Sequence, residues 1–187
     1  NMPLDMVTPI MRSRAKAVNF GIVYGIGAFS LAKDIGVSNK EASQYIKNYL
    51  AHYSGVDEYM KNVVEKAKQD GYVETMFGRR RYLPELTSGK AMLRKFGERV
   101  ARNMPIQGTA ADIIKIAMIR VNDRLKKEGL QSRLILQIHD ELIVEAPIDE
   151  SLYVAKLLQE EMENAVALDV PLTADAAVGK TWYDAKG

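Results

Sequence analysis

Arg133-Leu134-Ile135-Leu136-Gln137-Ile138-His139-Asp140-Glu141-Leu142-Ile143-Val144-Glu145-Ala146 is the stretch that decides the fold class. Two apolar runs, Arg133 to Ile138 and Leu142 to Ala146, flank a polar corner at His139-Asp140. Short runs rich in Ile, Leu and Val around a tight polar turn predict an antiparallel hairpin. The chain around it reads mostly as helix. Thr8 and Pro9 form a cap and first position, predicting a helix to about Tyr24, ended by Gly25-Ile26-Gly27. A short helix stops at Gly36, and a capping box at Ser38 and Glu41 opens another to about Tyr53. Ser54-Gly55-Val56-Asp57 starts the next, with Tyr59, Met60, Val63, Val64 and Ala67 at helical spacing before Gly71. Tyr72 to Met76 and Arg79 to Leu83 predict a second hairpin about Phe77-Gly78. Ser88 opens a helix to about Met104, which Pro105 is expected to break or kink before another from Thr109 to Lys127. A helix from Asp149 to Val166 and a strand from Leu172 to Val178 complete an α+β fold.

The composition narrows the function classes. A chain of 187 residues can build one domain or two small subdomains, and 47% hydrophobic with 27% charged residues is a globular balance. The absence of cysteine excludes disulfides and thiolate metal sites, and two histidines, His52 and His139, exclude a histidine-rich one. No apolar run approaches the ~20 residues of a membrane span. Asn1-Met2-Pro3 carries no signal-peptide pattern, so a cytoplasmic protein is expected. Net charge is +2 but uneven. Tyr72 to Gln107 holds eight Lys/Arg against three Asp/Glu, while His139 to Asp169 holds nine acids against one lysine. Such blocks permit phosphate or cation binding, and equally permit simple solvation.

Three groups of residues carry candidate chemistry. Arg12, Lys16, Phe20 and Tyr24 recur every four residues. Four residues turn a helix by about 400°, so the row stays on one face. Two cations followed by two rings suit a nucleoside triphosphate. From spacing alone, an ordinary helix with core aromatics and solvated cations is the favoured reading. Asp140 and Glu141 stand at the hairpin corner, where an exposed carboxylate suits Mg²⁺ and a polar turn is equally ordinary. Arg99 and Asn103 lie one helical turn apart, and Gln107 follows Pro105 at the expected start of the next helix. These side chains can hydrogen-bond the minor-groove acceptors common to every base pair, or serve as caps and helix-helix bonds. Gly25 and Gly27 do not make a dinucleotide loop, because Ser30 stands where the last glycine is needed.

Arg12-Ser13-Arg14-Ala15-Lys16-Ala17-Val18-Asn19-Phe20-Gly21-Ile22-Val23-Tyr24-Gly25 resembles the fingers motif of the bacterial family A DNA polymerases, the DNA polymerase I type. The resemblance implies that Arg12 and Lys16 bind the incoming triphosphate, Phe20 packs on its sugar and Tyr24 stands beside the templating position. Phe20 in place of Tyr resembles members that discriminate against dideoxynucleotides. His139-Asp140-Glu141 is similar to the family's palm motif, implying Asp140 as metal ligand, Glu141 as auxiliary carboxylate and His139 as neighbour of the primer terminus. Arg99-x3-Asn103-x-Pro105-x-Gln107-Gly108 resembles the element that contacts template and primer near the new pair. Gly71 to Pro84 resembles a basic hairpin of the fingers, and Trp182-Tyr183-Asp184 the usual C-terminal sequence.

The resemblance spans essentially the whole chain and implies part of a polymerase domain: mostly helical fingers over residues 1–107, and the C-terminal part of the palm, with its antiparallel hairpin, over 108–187. The implied reaction is template-directed transfer of dNMP from dNTP to a primer 3′-hydroxyl, as in DNA replication and repair. The implied catalytic residues are Asp140, Glu141 and Lys16. Two Mg²⁺ ions, primer-template DNA and dNTP are the implied cofactor and partners, with no membrane and a monomer. The family's other palm aspartate belongs to a motif preceding the fingers, and nothing before Arg12 resembles it. A piece of a longer protein, inactive alone, is therefore expected. A non-catalytic nucleic-acid-binding module and a metal-dependent nuclease using Asp140 and Glu141 are the alternatives. The first has no need of a triphosphate site, and the second leaves the Arg12–Tyr24 row without a purpose.

Overall fold

A computed structural model describes residues 3–186, which divide into two compact units, Asn1–Thr109 and Ala110–Gly187. In the first unit, helix α1 (Pro9–Val23) starts where the sequence places it, with the Thr8 hydroxyl accepting the Met11 N–H at 3.2 Å. Helix α2 (Ala28–Ile35) and helix α3 (Asn39–His52) follow, the latter fixed by reciprocal bonds between Ser38 and Glu41. Leu31, Ala32, Ile35 and Ala42 are buried together, with Ala17, Val18 and Ile46 packed around them. Helix α4 (Ser54–Asp70) leads into strands β1 (Tyr72–Glu74) and β2 (Arg80–Tyr82), paired antiparallel with Tyr72 opposite Tyr82. A second core of Val64, Ala67, Val73, Leu83, Leu86 and Ala101 joins α4 and this hairpin to helix α5 (Ala91–Lys127).

The sequence reading is corrected at α5. Pro105 was expected to break or kink the helix, with a second one from Thr109; the break does not occur, and Pro105 lies inside one continuous helix of 37 residues. Proline costs a helix interior about 3 kcal/mol, through one lost donor and a clash with the carbonyl four residues back. Packing on both sides outweighs that cost. Ala101 lies in the second core, and beyond the proline Val121 and Leu125 are 0% and 3% exposed. Each such fully buried aliphatic side chain contributes about 1.5–3 kcal/mol. The Thr109 hydroxyl donates to the Pro105 carbonyl at 2.5 Å and accepts the Met76 N–H at 3.0 Å, bonding the tip of the β1–β2 hairpin to the helix just past the proline. Ser88 does not open α5 directly. Its hydroxyl accepts the Lys90 N–H, and the Arg94 guanidinium donates to the Ser88 and Gly89 carbonyls.

In the second unit, β3 (Arg133–Ile138) and β4 (Glu141–Glu145) form the expected hairpin, Ile138 pairing with Glu141 across the two-residue corner. A bulge between Leu134 and Leu136 was not foreseen. Three consecutive apolar residues cannot all follow a period of two, and the extra residue lets Leu134 and Leu136 both pair with β4. Helix α6 (Ser151–Glu163) packs Val154 and Leu157 against Ala117, Val121, Leu125 and Leu142. Arg124 bridges Glu128, Glu160 and Glu161, and the Arg120 guanidinium donates to the Asn164 carbonyl. Residues 172–178 do not form the expected strand. Their apolar character is real, but no strand among the described residues offers a backbone ladder for them. A short helix α7 (Trp182–Ala185), capped by Thr181 and Asp184, was missed.

The loop into α6 is fastened to the start of β3 by Glu150, whose carboxylate accepts the Gln131 N–H, the Ser132 N–H and the Ser132 hydroxyl at 2.9, 3.0 and 2.6 Å. The Ser132 hydroxyl first, then the backbone donors, hold this carboxyl below its ordinary range. A lowered carboxyl contributes stability that is present above its unfolded-state value and lost as pH falls through the folded one. Glu150→Gln is therefore predicted to lower the urea midpoint at neutral pH. The gap to the parent chain should close as pH falls through and below the usual glutamate range, followed by far-UV circular dichroism.

Candidate active site

The face of α1 is built as its spacing requires. Arg12, Lys16 and Phe20 are exposed, and Tyr24, the residue that caps the helix, is half-buried. The Lys16 Nζ lies 5.8 Å from the Phe20 ring centroid, and the Phe20 and Tyr24 rings stack at 5.9 Å with 29° between their planes. All four residues thus share one face, and the phenyl ring of Phe20, 45% exposed, is not part of a core. Behind the row, the Tyr49 hydroxyl of α3 donates to Asn19 Oδ1 at 2.5 Å. Gly25 ends the row with φ +77°, and a Cβ there would stand 3.2 Å from Arg102 Nη1 and 3.8 Å from Arg99 Cγ. The left-handed turn favours glycine at this position, and a side chain there would also have to move the end of Arg102.

Because α5 is continuous, Gln107 does not start a new helix. Arg99, Asn103 and Gln107 instead form a single row at four-residue spacing, Arg99 and Gln107 exposed and Asn103 half-buried. Asn103 Oδ1 is buried without a hydrogen-bond partner in the protein, and the Arg99 guanidinium lies 6.0 Å from the Phe96 ring. An orphaned amide oxygen costs about 1–3 kcal/mol unless something else meets it.

In the second unit, His139 and Asp140 form the exposed corner between β3 and β4. His139 has φ 53°, the sole non-glycine residue with positive φ among the described residues. Backbone held in this region is strained by about 1–3 kcal/mol, and such strain concentrates at functional sites. Asp140 has no hydrogen bond or ion pair among the described residues. Its neighbours in the acidic block differ. Five of the nine acids are engaged within the unit: Glu141 with Lys186 and Trp182, Glu150 with Ser132, Glu160 and Glu161 with Arg124, and Glu163 with the Ala174 N–H. The sequence could not separate these structural carboxylates from a ligand. Asp140 is the one at the strained corner with its oxygens free. A single hard carboxylate suits Mg²⁺, which keeps several waters and borrows phosphate oxygens. It does not make a self-sufficient cage, and no cluster of three or more metal-ligating side chains occurs among the described residues.

Residues 1–184 match the model of DNA polymerase family A. The chain belongs to that family. DNA polymerase I of Bacillus caldotenax is 57% identical over 182 residues, covering 97% of this chain and 21% of the relative. DNA polymerase I of Bacillus subtilis (strain 168) is 56% identical over 182 residues, with the same coverage. Among solved structures, the POL domain of Pol1 from M. smegmatis, in complex with DNA primer-template and dNTP, matches with a TM-score of 0.94 and 45% identity. That match covers 100% of this chain and 33% of the other. The family A chain described here thus spans about a fifth of the length of the curated relatives it matches.

The site residues differ in what they contribute to stability, and this is measurable. Asp140→Ala is predicted to shift the unfolding free energy of the family A chain by no more than about 0.5 kcal/mol, since the side chain is exposed and unbonded. Gly25→Ala is predicted to cost about 1–3 kcal/mol, because alanine must take a positive φ against Arg102. Urea titrations of the two variants side by side check both values.

Proposed function

We propose that this chain is part of a DNA-directed DNA polymerase, contributing fingers residues 1–107 and the C-terminal part of the palm over residues 108–187. The observation that carries the reading is the α1 row, in which two exposed cations and a stacked pair of rings share one face of a family A chain. Arg12 and Lys16 meet the triphosphate, and Lys16 balances charge on the departing pyrophosphate. Phe20 packs on the sugar, with Tyr24 beside the templating position. Arg99, Asn103 and Gln107 contact acceptors in the minor groove of primer-template DNA, sensing pair geometry without reading sequence. His139 lies by the primer terminus, and Asp140 and Glu141 serve the corner. Asp140 is a ligand for one of two Mg²⁺ ions, which when bound supply electrostatic stabilisation to the transferring phosphoryl group. The solved relative holding DNA primer-template and dNTP supports these partners. Among the described residues no helix is long and apolar enough to cross a membrane, and a monomer working in the cytoplasm fits this reading.

In the complete polymerase, Asp140→Ala is predicted to slow single-nucleotide incorporation by about 10²-fold or more, leaving primer-template affinity within about threefold. Lys16→Ala is predicted to cost about 10²-fold with weaker dNTP binding as well. Arg99→Ala acts at the duplex, weakening primer-template binding by about tenfold. Rapid-quench incorporation and fluorescence-anisotropy titrations separate the three. Near-normal turnover by Asp140→Ala would overturn the assignment of the corner.

A further inference from the structure

Glu141 stands beside Asp140, yet both of its oxygens are committed elsewhere. One lies 3.2 Å from Lys186 Nζ, and the other accepts the Trp182 indole N–H at 3.3 Å. Lys186 Nζ is also 4.9 Å from the Trp182 ring centroid, so the three groups close on one another. Trp182 and Lys186 are four residues apart, one helical turn, and so share a face. A helix of four residues has no stability of its own. Two features hold it. Thr181 and Asp184 exchange bonds, the Thr181 hydroxyl accepting the Asp184 N–H at 3.2 Å and the Asp184 carboxylate accepting the Thr181 N–H at 3.1 Å. At Gly179 a Cβ would lie 2.5 Å from the Ala185 nitrogen, a separation at which only glycine lets the chain fold back on the helix.

An exposed ion pair such as Glu141–Lys186 contributes about 0–1 kcal/mol of stability, so its consequence is geometric. Glu141 opens β4 and pairs with Ile138 across the corner. Holding its side chain therefore fixes the strand end next to a turn that His139 keeps in a strained conformation. We propose that Trp182 and Lys186 are positioning residues: they hold Glu141 in their own contact, fix the corner, and leave Asp140 as its free carboxylate. This inference rests on the polymerase reading of the corner.

The test uses the complete polymerase with Lys186→Gln, Lys186→Arg, Trp182→Phe and Glu141→Gln. Lys186→Gln and Trp182→Phe are expected to lower the maximal rate of single-nucleotide incorporation by about tenfold. The dissociation constants for dNTP and primer-template should stay within about twofold, since positioning acts on the transition state. Lys186→Arg should restore most of the rate, because a guanidinium can meet the same carboxylate. Adding Lys186→Gln to Glu141→Gln should cause little further loss, as the lysine acts through the glutamate. Full rate with Lys186→Gln, equal damage by Lys186→Arg, or fully multiplicative losses in the double variant would each overturn the proposal. Should Trp182→Phe fail to fold, the exposed Lys186 variants carry the test. A second readout needs no activity. Trp182 is the one tryptophan of this chain, and Glu141→Gln or Lys186→Gln should shift its emission. An unmoved spectrum would overturn the contact itself, whereas an active Asp140→Ala enzyme would sink the reading of the corner as the metal site with the spectrum unaffected.

Discussion

Pro105 removes one donor from the ladder of α5, and the layout of the first unit depends on the helix surviving that loss. The ladder is held from both flanks, by Ala101 in the core before the proline and by the Thr109 hydroxyl after it. Because the helix is continuous through Pro105, Arg99, Asn103 and Gln107 share one face at four-residue spacing. The same stretch receives the Met76 N–H at Thr109 and brings Arg99 and Arg102 to within a few ångströms of Gly25. One backbone decision thereby aligns a row of polar side chains, anchors a hairpin and seats the end of α1.

How legible this was in the sequence depended on the range of the physics involved. Thr8-Pro9, Ser38 with Glu41, and Gly36 and Gly71 act within one helical turn, and the helix ends they predict are where the structure has them. The His139-Asp140 corner was equally local. Pro105 was misread because a local rule met packing supplied by residues far along the chain, such as Val73 and Leu83. The segment from Leu172 to Val178 was misread for the opposite reason: a strand's pattern is intrinsic, but its hydrogen bonds belong to a partner. The bonds from Glu150 to Ser132 and from Glu141 to Trp182 join residues distant in sequence, and no spacing rule reaches them. The candidate-site residues were chosen by motif, whereas contacts such as Glu141 with Trp182 follow from no motif.

The second unit also shows why a count of charges is a poor guide to cation sites. Its acidic excess looks like a ligand cluster on paper, and most of it is structural. Arg124 absorbs three carboxylates, two of them on α6, and Ser132 and its neighbour absorb a fourth at the start of α6. What distinguishes Asp140 from the other unengaged acids of the block is its place at the strained corner between β3 and β4.

The uneven burial of α1 makes that helix a cantilever. Residues 9–16 are all exposed, with Ile10 at 67% and Met11 at 45%, while near the other end Ile22 is 3% exposed. A helix of 15 residues is marginal without tertiary contacts, so the free half is stiffened mainly through its clamped half. Compliance therefore grows along the candidate row in one direction, from the rigid Tyr24 end toward Arg12. The two rings of the candidate row thus sit at the better-packed end of α1 and the two cations toward its less-packed end.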